Sequence, residues 1–286
     1  MTSRRVVASV ALEEARMGAG FTARSLRGRS LALDPFLSID EFHMSLPTFP
    51  PHPHAGFSAV TYMLEDSAGA FVNRDSLGDT SRIGPGDLHW TQAARGMMHE
   101  EIPERPGVDC HGLQMFVNLR RADKQAPPRA FHLDRQQVPV FEAPGARVRV
   151  LAGALGGLAA PLEGLLTDAF LFDVQLSPSA RLVLDVDPTH NVFALALSGD
   201  GTADPEGAPI AASPSSSCRA VGFAREGNTL SLASGPHGLH LIVGGGAPLG
   251  EPVVFGGPFV MTSPEDISDA FARFARGEMG RLAPSA

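Results

Sequence analysis

Residues 51–103 of the chain read PHPHAGFSAVTYMLEDSAGAFVNRDSLGDTSRIGPGDLHWTQAARGMMHEEIP. Residues 57–65 place one apolar set on each face of an extended segment, which is the pattern of a strand inside a barrel. The turn Gly84-Pro85-Gly86 separates this segment from a second strand over residues 87–92. Short apolar strands divided by glycine and proline turns predict an antiparallel β structure.

Metal-ligating residue types stand at both ends of the same stretch. His52 and His54 are two residues apart, so their imidazoles point the same way in an extended segment. His99 follows later, and Glu101 stands two residues after it. On neighbouring strands, two such pairs would offer three neutral nitrogens and one carboxylate to a divalent Fe, Ni, Cu, Mn or Zn ion. By spacing alone, a solvated histidine pair is an equal alternative.

The rest of the chain repeats the alternating pattern. Of 286 residues, 31 are glycine and 24 are proline, a composition that favours an all-β sandwich or barrel. Residues 111–117 (HGLQMFV) are echoed by residues 237–243 (HGLHLIV), which predicts two related β units joined near residues 120–165. Ser263 as N-cap, Pro264 after it and Gly277 at the end predict one C-terminal helix.

Charge and cysteine usage exclude several classes of protein. The chain has 23 Lys and Arg against 31 Asp and Glu, a net charge of −8, so we expect no direct nucleic-acid partner. Cys110 and Cys218 stand in no CxxC pair and cannot form a disulfide framework. Glu13 and Glu14 interrupt the first apolar run, and no run of 18 apolar residues exists. We therefore expect a soluble cytoplasmic monomer without a membrane partner.

A set of short motifs is spread along the chain and is densest over residues 34–119. The motifs are 34–37 (DPFL), 40–42 (DEF), 52–57 (HPHAGF), 60–62 (VTY), 84–88 (GPGDL), Trp90, 95–96 (RG), 99–101 (HEE), 111–114 (HGLQ), 117–119 (VNL), 251–254 (EPVV) and 257–261 (GPFVM). Taken together, these motifs resemble the pirin family of the cupin superfamily, and the resemblance covers most of residues 5–275.

The resemblance implies a bicupin, in which two antiparallel β-barrels (double-stranded β-helices) face each other and a helix ends the chain. It implies a metal-binding barrel over residues 1–130 and a second barrel without metal over residues 131–286. The family's ligands, three histidines and one glutamate, match His52, His54, His99 and Glu101. The usual cupin glutamate falls at Ser58, which leaves the carboxylate role to Glu101.

The second unit lacks the ligand set. His190 has Pro188 two residues before it, and only Gly235 and Pro236 precede His237, so we expect this barrel to be metal-free.

The chain departs from the usual family sequence near the metal loop. Ala55 and Ser58 replace an arginine and a glutamate, and His89 replaces a glutamine. Strand alternation allows His89 to face the barrel interior or its outside, and we favour a role other than that of a ligand. His111 is expected to pack near the site without binding the metal. The predicted substrate-pocket residues are Phe57, Met63, His89, Trp90, Met98 and His111.

Two functions follow from the resemblance. The first is a quercetin 2,3-dioxygenase-like activity, in which a planar aromatic flavonol reacts with O₂ and Glu101 accepts the substrate hydroxyl proton. The cofactor would be one divalent transition metal, first of all Fe(II), with Ni, Cu, Mn, Co or Zn as alternatives. The second is a non-enzymatic, metal- or redox-dependent regulator that binds partner proteins such as transcription factors.

Overall fold

The structure is a computed structural model that describes residues 2–28, 31–212 and 219–283, so Cys218 lies outside it. Strands dominate the described residues, which contain one α-helix and one turn of 3-10 helix at Arg121–Asp123. The predicted all-β class is therefore confirmed. Within these residues, no helix has the length and apolar character needed to cross a bilayer.

Two antiparallel sheets face each other in the N-terminal unit. The larger has the order β12 (Arg129–Leu133), β9 (Leu88–Gln92), β6 (Phe57–Met63), β11 (Cys110–Asn118), β4 (Phe36–Met44), β3 (Phe21–Arg27) and β2 (Glu13–Met17). The smaller has the order β5 (His52–His54), β10 (Met97–Pro103), β7 (Phe71–Asp75) and β8 (Thr80–Ile83).

The C-terminal unit contains a nine-stranded antiparallel sheet. Its main order is β1 (Val6–Val10), β21 (Ala220–Phe223), β19 (Asn191–Thr202), β22 (Thr229–Gly246), β17 (Ala169–Leu176), β14 (Ala146–Ala152) and β13 (Val140–Ala143). Two further strands lie off this path, where β18 (Arg181–Asp185) pairs with β22 and β20 (Pro209–Ala211) pairs with β19. Two short hairpins join β15 (Ala154–Leu155) to β16 (Leu158–Ala159) and β23 (Val254–Gly256) to β24 (Phe259–Met261).

The C-terminal helix α1 spans Pro264–Ala275. The Ser263 side chain accepts a hydrogen bond from the Asp266 amide at 3.1 Å, which satisfies one of the unpaired donors of the first turn. Pro264 stands at the start of the helix, where it lacks only an amide that has no helical partner. The predicted helix is thus present with its predicted cap.

Strand β6 separates the interior of the N-terminal unit from the core between the two units. All seven of its residues are buried, as its two apolar faces predict. Val60 and Tyr62 belong to one core with Trp90 and with residues of the second unit such as Phe193. The opposite face, which carries Thr61, points into the N-terminal unit. One strand therefore forms both the inter-unit core and the wall behind the candidate site.

The two units exchange their terminal segments. Strand β1 at the N-terminus pairs with β21 in the sheet of the C-terminal unit. Conversely, β12 pairs with β9 in the N-terminal sheet and crosses the expected boundary at residue 130. The boundary itself stays a prediction, but strand pairing across it makes the two units depend on each other for their sheets.

The C-terminal segment also returns to the N-terminal unit, beside the loop after His54. The Val260 amide donates to the Ala55 carbonyl at 3.0 Å. Gly56 has a φ of +87°, and a Cβ atom there would lie 1.9 Å from the Val260 carbonyl oxygen. Only glycine permits this approach. The tail of the chain therefore supports the loop that directly follows the candidate ligand His54.

A buried polar network connects the two units behind β6. The Tyr62 hydroxyl donates to Asp173 at 2.5 Å and accepts from Arg149 at 2.7 Å. Nε2 of His240 lies 2.6 Å from the second Asp173 oxygen. Burial alone would lower the pKa of His240, but the hydrogen bond and the negative charge of Asp173 outweigh it and raise that pKa. Asp173 and His240 therefore form an ion pair at the interface.

Because of this ion pair, we expect the thermal stability of the protein to depend on pH. A histidine whose pKa is raised in the folded state stabilises the fold below its unfolded pKa of about 6.5. That contribution is lost as pH rises through the raised folded pKa. The difference in Tm between wild type and His240→Gln should therefore shrink as pH rises above about 6.5. Calorimetry at a series of pH values measures it, with His237→Gln, an exposed position on the same strand, as control. A pH-independent difference would contradict the prediction.

Candidate metal centre

Three histidine side chains converge at the edge of the smaller N-terminal sheet. Strand β5 carries His52 and His54, and its neighbour β10 places His99 directly opposite His52. Nε2 of His52 lies 3.1 Å from Nε2 of His54 and 3.2 Å from Nε2 of His99. Among the described residues, these three form the one group whose ligand atoms all lie close enough to share an ion, within 4.8 Å of one another.

The neighbours of two of these rings fix where their protons lie. Nδ1 of His52 lies 2.9 Å from the Pro50 carbonyl oxygen, and Nδ1 of His54 lies 3.4 Å from that of Pro258. A carbonyl only accepts, so each Nδ1 carries the proton and each Nε2 presents a lone pair. Lone pairs that face each other at 3.1 Å repel unless a cation lies between them. The donor set therefore fits a divalent transition metal.

The rings are also neutral, as ligands must be. Burial lowers the pKa of His54 to about 3, with the neighbouring His52 acting in the same direction. Burial likewise lowers the pKa of His52 and brings that of His99 well below its ordinary value. At neutral pH, no proton competes with a metal for these nitrogens. Nδ1 of His99 is buried without a hydrogen-bond partner in the described structure.

Glu101 lies two residues after His99 on β10 and lines the same cavity. Its Oε2 accepts a hydrogen bond of 2.7 Å from Thr61 Oγ1 on β6, in the opposite sheet. Burial raises the pKa of Glu101 to about 7, although the Thr61 hydrogen bond acts the other way. Glu101 does not belong to the compact histidine group, so its role as the fourth ligand stays a prediction.

The histidines open onto a cavity of about 280 Å³ between the two sheets. Most of its wall is aromatic or aliphatic, and a few polar side chains interrupt it. The apolar lining residues are Ala15, Met17, Phe21, Ala23, Phe42, Met44, Phe49, Phe71 and Phe116. The polar ones, besides the three histidines and Glu101, are Ser25, Arg27, Asp40 and Gln114. Such a wall suits a planar aromatic ligand held by a small number of polar contacts.

The six predicted pocket residues lie outside this wall. Phe57, Met63 and His89 point into the N-terminal unit, but they are buried and do not line the cavity. Phe57 packs behind the wall, with its ring centroid 4.9 Å from that of His54. Met63 is fully buried in a cluster with Phe42 and Phe71. His89 lies opposite Thr61 on the interior face and is fully buried, with neither ring nitrogen hydrogen-bonded in the described structure.

Trp90, Met98 and His111 point away from the interior of the N-terminal unit. Trp90, one residue after His89, is turned by strand alternation into the core between the units. Met98 lies between His99 and Met97 and lines a surface depression with residues of the C-terminal segment. The His111 ring stacks on His43 with a centroid distance of 4.2 Å and lies 3.0 Å from Asp66. The sequence did not distinguish the faces of strands that are apolar on both sides.

The wall residues that sequence reasoning missed come mainly from β2, β3 and β4. Residues 36–44 (FLSIDEFHM) and 21–27 (FTARSLR) form β4 and β3, and neither strand is predicted from the sequence. The interior side of this sheet carries Ser25 and Arg27 on β3, and Asp40 and Phe42 on β4. Asp40 and Phe42 stand two residues apart in the DEF motif, and this spacing is the signal that puts both on one face of a strand.

The remaining reactive residues have other partners. His190 of the second unit lies 3.4 Å from Asp168, and His240 pairs with Asp173. Cys110 is buried, and burial raises the pKa of its thiol to about 11, so it is not a thiolate at neutral pH.

Two protein-family models match the chain, one in each of its two units. Residues 20–117 match the Pirin family model, and residues 171–280 match that of the pirin C-terminal cupin domain. Pirin of Rattus norvegicus is 35% identical over 285 residues, which cover 98% of this chain and 94% of the rat protein. A Pseudomonas aeruginosa protein named "Putative quercetin 2,3-dioxygenase" is 35% identical over 85% of this chain and 86% of its own length.

Solved structures show the same architecture. A crystal structure of quercetin 2,3-dioxygenase from Acinetobacter baumannii superposes with a TM-score of 0.84 at 24% identity, and covers 99% of this chain and 100% of that one. A bacterial pirin from Escherichia coli in complex with nickel(II) gives a TM-score of 0.65 at 17% identity, over 85% of this chain and 100% of its own. At these identities the likeness concerns the fold, an all-β bicupin. Together with the two domain matches and the full-length similarity to rat pirin, it shows that the chain belongs to the pirin family.

Proposed function

We propose that this pirin is a metal-dependent dioxygenase that cleaves flavonols with O₂, as a quercetin 2,3-dioxygenase does. The observation that carries the proposal is the position of the histidine group, which faces an aromatic cavity together with a buried carboxylate. The named activity of the Pseudomonas aeruginosa relative supports the same reaction class.

The residues that would hold the metal are His52, His54 and His99, with Glu101 as the proposed fourth ligand. A divalent ion there, Fe(II) being our first choice, would supply a Lewis acid that lowers the pKa of a coordinated hydroxyl. The Pro50 and Pro258 carbonyls orient the His52 and His54 rings through their Nδ1 atoms, and so direct these two Nε2 atoms at the same point.

Glu101 would act as the general base. Its carboxylate lies in the cavity and is held by Thr61, so it can take the proton of a substrate hydroxyl bound beside the histidines. The phenylalanine side chains would contact the faces of a planar ring system and exclude water from it. Each of these tasks uses a side chain that the fold already directs into the cavity.

The proposal is tested with protein reconstituted separately with Fe(II), Ni(II), Cu(II), Mn(II) and Co(II). Each sample is mixed with quercetin under air, and the flavonol absorbance is followed over time. We expect loss of quercetin with at least one metal, with no loss under nitrogen or in metal-free protein. If none of the metals supports consumption, the dioxygenase proposal fails and the regulator hypothesis becomes the better explanation.

A further inference from the structure

A line of polar side chains crosses the inner face of the larger N-terminal sheet. Ser25 on β3 lies opposite Asp40 on β4, which lies opposite Gln114 on β11, which lies opposite Thr61 on β6. Residues directly opposite one another in a sheet share a face, so all four point to the same side. Ser25, Asp40 and Gln114 line the cavity.

Thr61, at one end of this line, lies beside the candidate metal centre, and Ser25 and Asp40, at the other end, lie far from it. At the near end, Thr61 donates to Glu101 at 2.7 Å and lies 3.0 Å from Gln114. Neighbouring strands are about 4.8 Å apart, so Asp40, two strands away, lies about 10 Å from Thr61 across the sheet. The cavity therefore has polar groups at two places separated by roughly the length of a fused aromatic ligand.

The distant end is an ion pair that faces the cavity. Arg27 donates from Nη1 to Asp40 Oδ2 at 3.0 Å and from Nη2 to Ser25 Oγ at 2.9 Å, while Ser25 Oγ donates to Asp40. Ser25 is buried, and Asp40 keeps only 19% of its side-chain surface exposed. Both Arg27 and Asp40 line the cavity beside phenylalanine and methionine side chains.

The chemistry of this pair restricts what it can recognise. Asp40 can accept from a ligand hydroxyl, and Arg27 can donate to a ligand oxygen. The pair carries no net charge, so it offers little net attraction to a ligand carboxylate or a ligand ammonium. A phenolic hydroxyl, which both donates and accepts, satisfies both groups.

We propose that Arg27 and Asp40 form a distal recognition site for phenolic hydroxyls on the part of the ligand remote from the metal centre. This inference rests on the proposed function and narrows it, because it assigns the selection among flavonols to the ion pair. Flavonols with hydroxyls on their outer rings are then preferred over those that carry only the hydroxyl beside the metal.

Binding by the zinc-loaded protein tests the proposal without turnover. Isothermal titration would compare quercetin, which has hydroxyls on both outer rings, with 3-hydroxyflavone, which has none. We expect wild type to bind quercetin at least tenfold more tightly, the size of effect typical of hydrogen bonds to charged groups. Asp40→Asn and Arg27→Met should each remove most of that preference and leave the affinity for 3-hydroxyflavone within about twofold.

The control is Arg82→Gln, which breaks an exposed ion pair with Glu104 outside the cavity and should keep the preference. Zinc content and Tm of each variant establish that it is folded. In turnover with an active metal, the two cavity variants should raise the KM for quercetin and change kcat little.

Two kinds of failure are distinguishable. If wild type binds the two flavonols equally, or if both cavity variants keep the preference, the ion pair does not select the ligand and this inference is wrong. The proposed function would survive that result, provided that flavonols are still consumed. If wild type neither binds nor consumes either flavonol, the proposed function fails, and the inference fails with it.

Discussion

His99→Ala is expected to lose most of its bound metal. It removes one of three nitrogens that converge within 4.8 Å, and the loss should exceed the 10- to 100-fold drop in affinity typical of changes to groups that only support a ligand. Neither Ser58 nor His111 can replace it. Ser58 lies on the face of β6 that carries Val60 and Tyr62, and His111 is on the outer side of β11.

Elemental analysis of the purified variants, each loaded anaerobically with Fe(II) and desalted, measures this effect. The matched control is His89→Gln, which removes another buried histidine of the same unit and introduces the residue that the family usually has there. We expect wild-type metal content in that control. Equal metal content in His99→Ala and wild type would show that the histidine group is not the binding site.

Glu101→Gln is expected to lower flavonol turnover by about 10²- to 10⁴-fold, the contribution of a positioned general base. The substitution keeps the size of the side chain and its hydrogen-bonding contact with Thr61 but removes its basicity. Metal content should fall much less than in His99→Ala, because the three nitrogens remain.

Turnover is therefore compared at equal metal loading, with kcat measured for quercetin under air. Thr61→Val serves as a second variant, because it removes the hydroxyl that orients the carboxylate and leaves the carboxylate itself. It should reduce kcat less than Glu101→Gln does. If Glu101→Gln turns over quercetin at the wild-type rate, another group accepts the proton.

The parts of the fold that the sequence predicted are those encoded locally. The alternation of β6, the cap of α1 and the i, i+2 spacing of His52 and His54 each involve residues close together in the chain. Their conformation follows from strand and helix geometry, and needs no knowledge of what packs against them. The family resemblance then supplied the long-range link between His54 and His99, which spacing alone left open.

The parts that the sequence did not predict depend on long-range pairing. Strand β1 pairs with β21, more than 200 residues away, and the tail at Val260 packs beside Ala55. Trp90 is not part of the cavity wall, and the sequence does not show this because both faces of β9 are buried. Nothing local shows that the Trp90 face meets the second unit and that the His89 face meets the interior.

The central claim is that one metal ion binds at His52, His54 and His99, within the N-terminal unit. Anomalous diffraction from crystals of the metal-loaded protein, collected at the absorption edge of the ion, tests it most directly. We expect one anomalous peak per chain, within about 2.0–2.3 Å of the three Nε2 atoms. No peak there, or a peak beside His190 or His240 of the C-terminal unit, would contradict it.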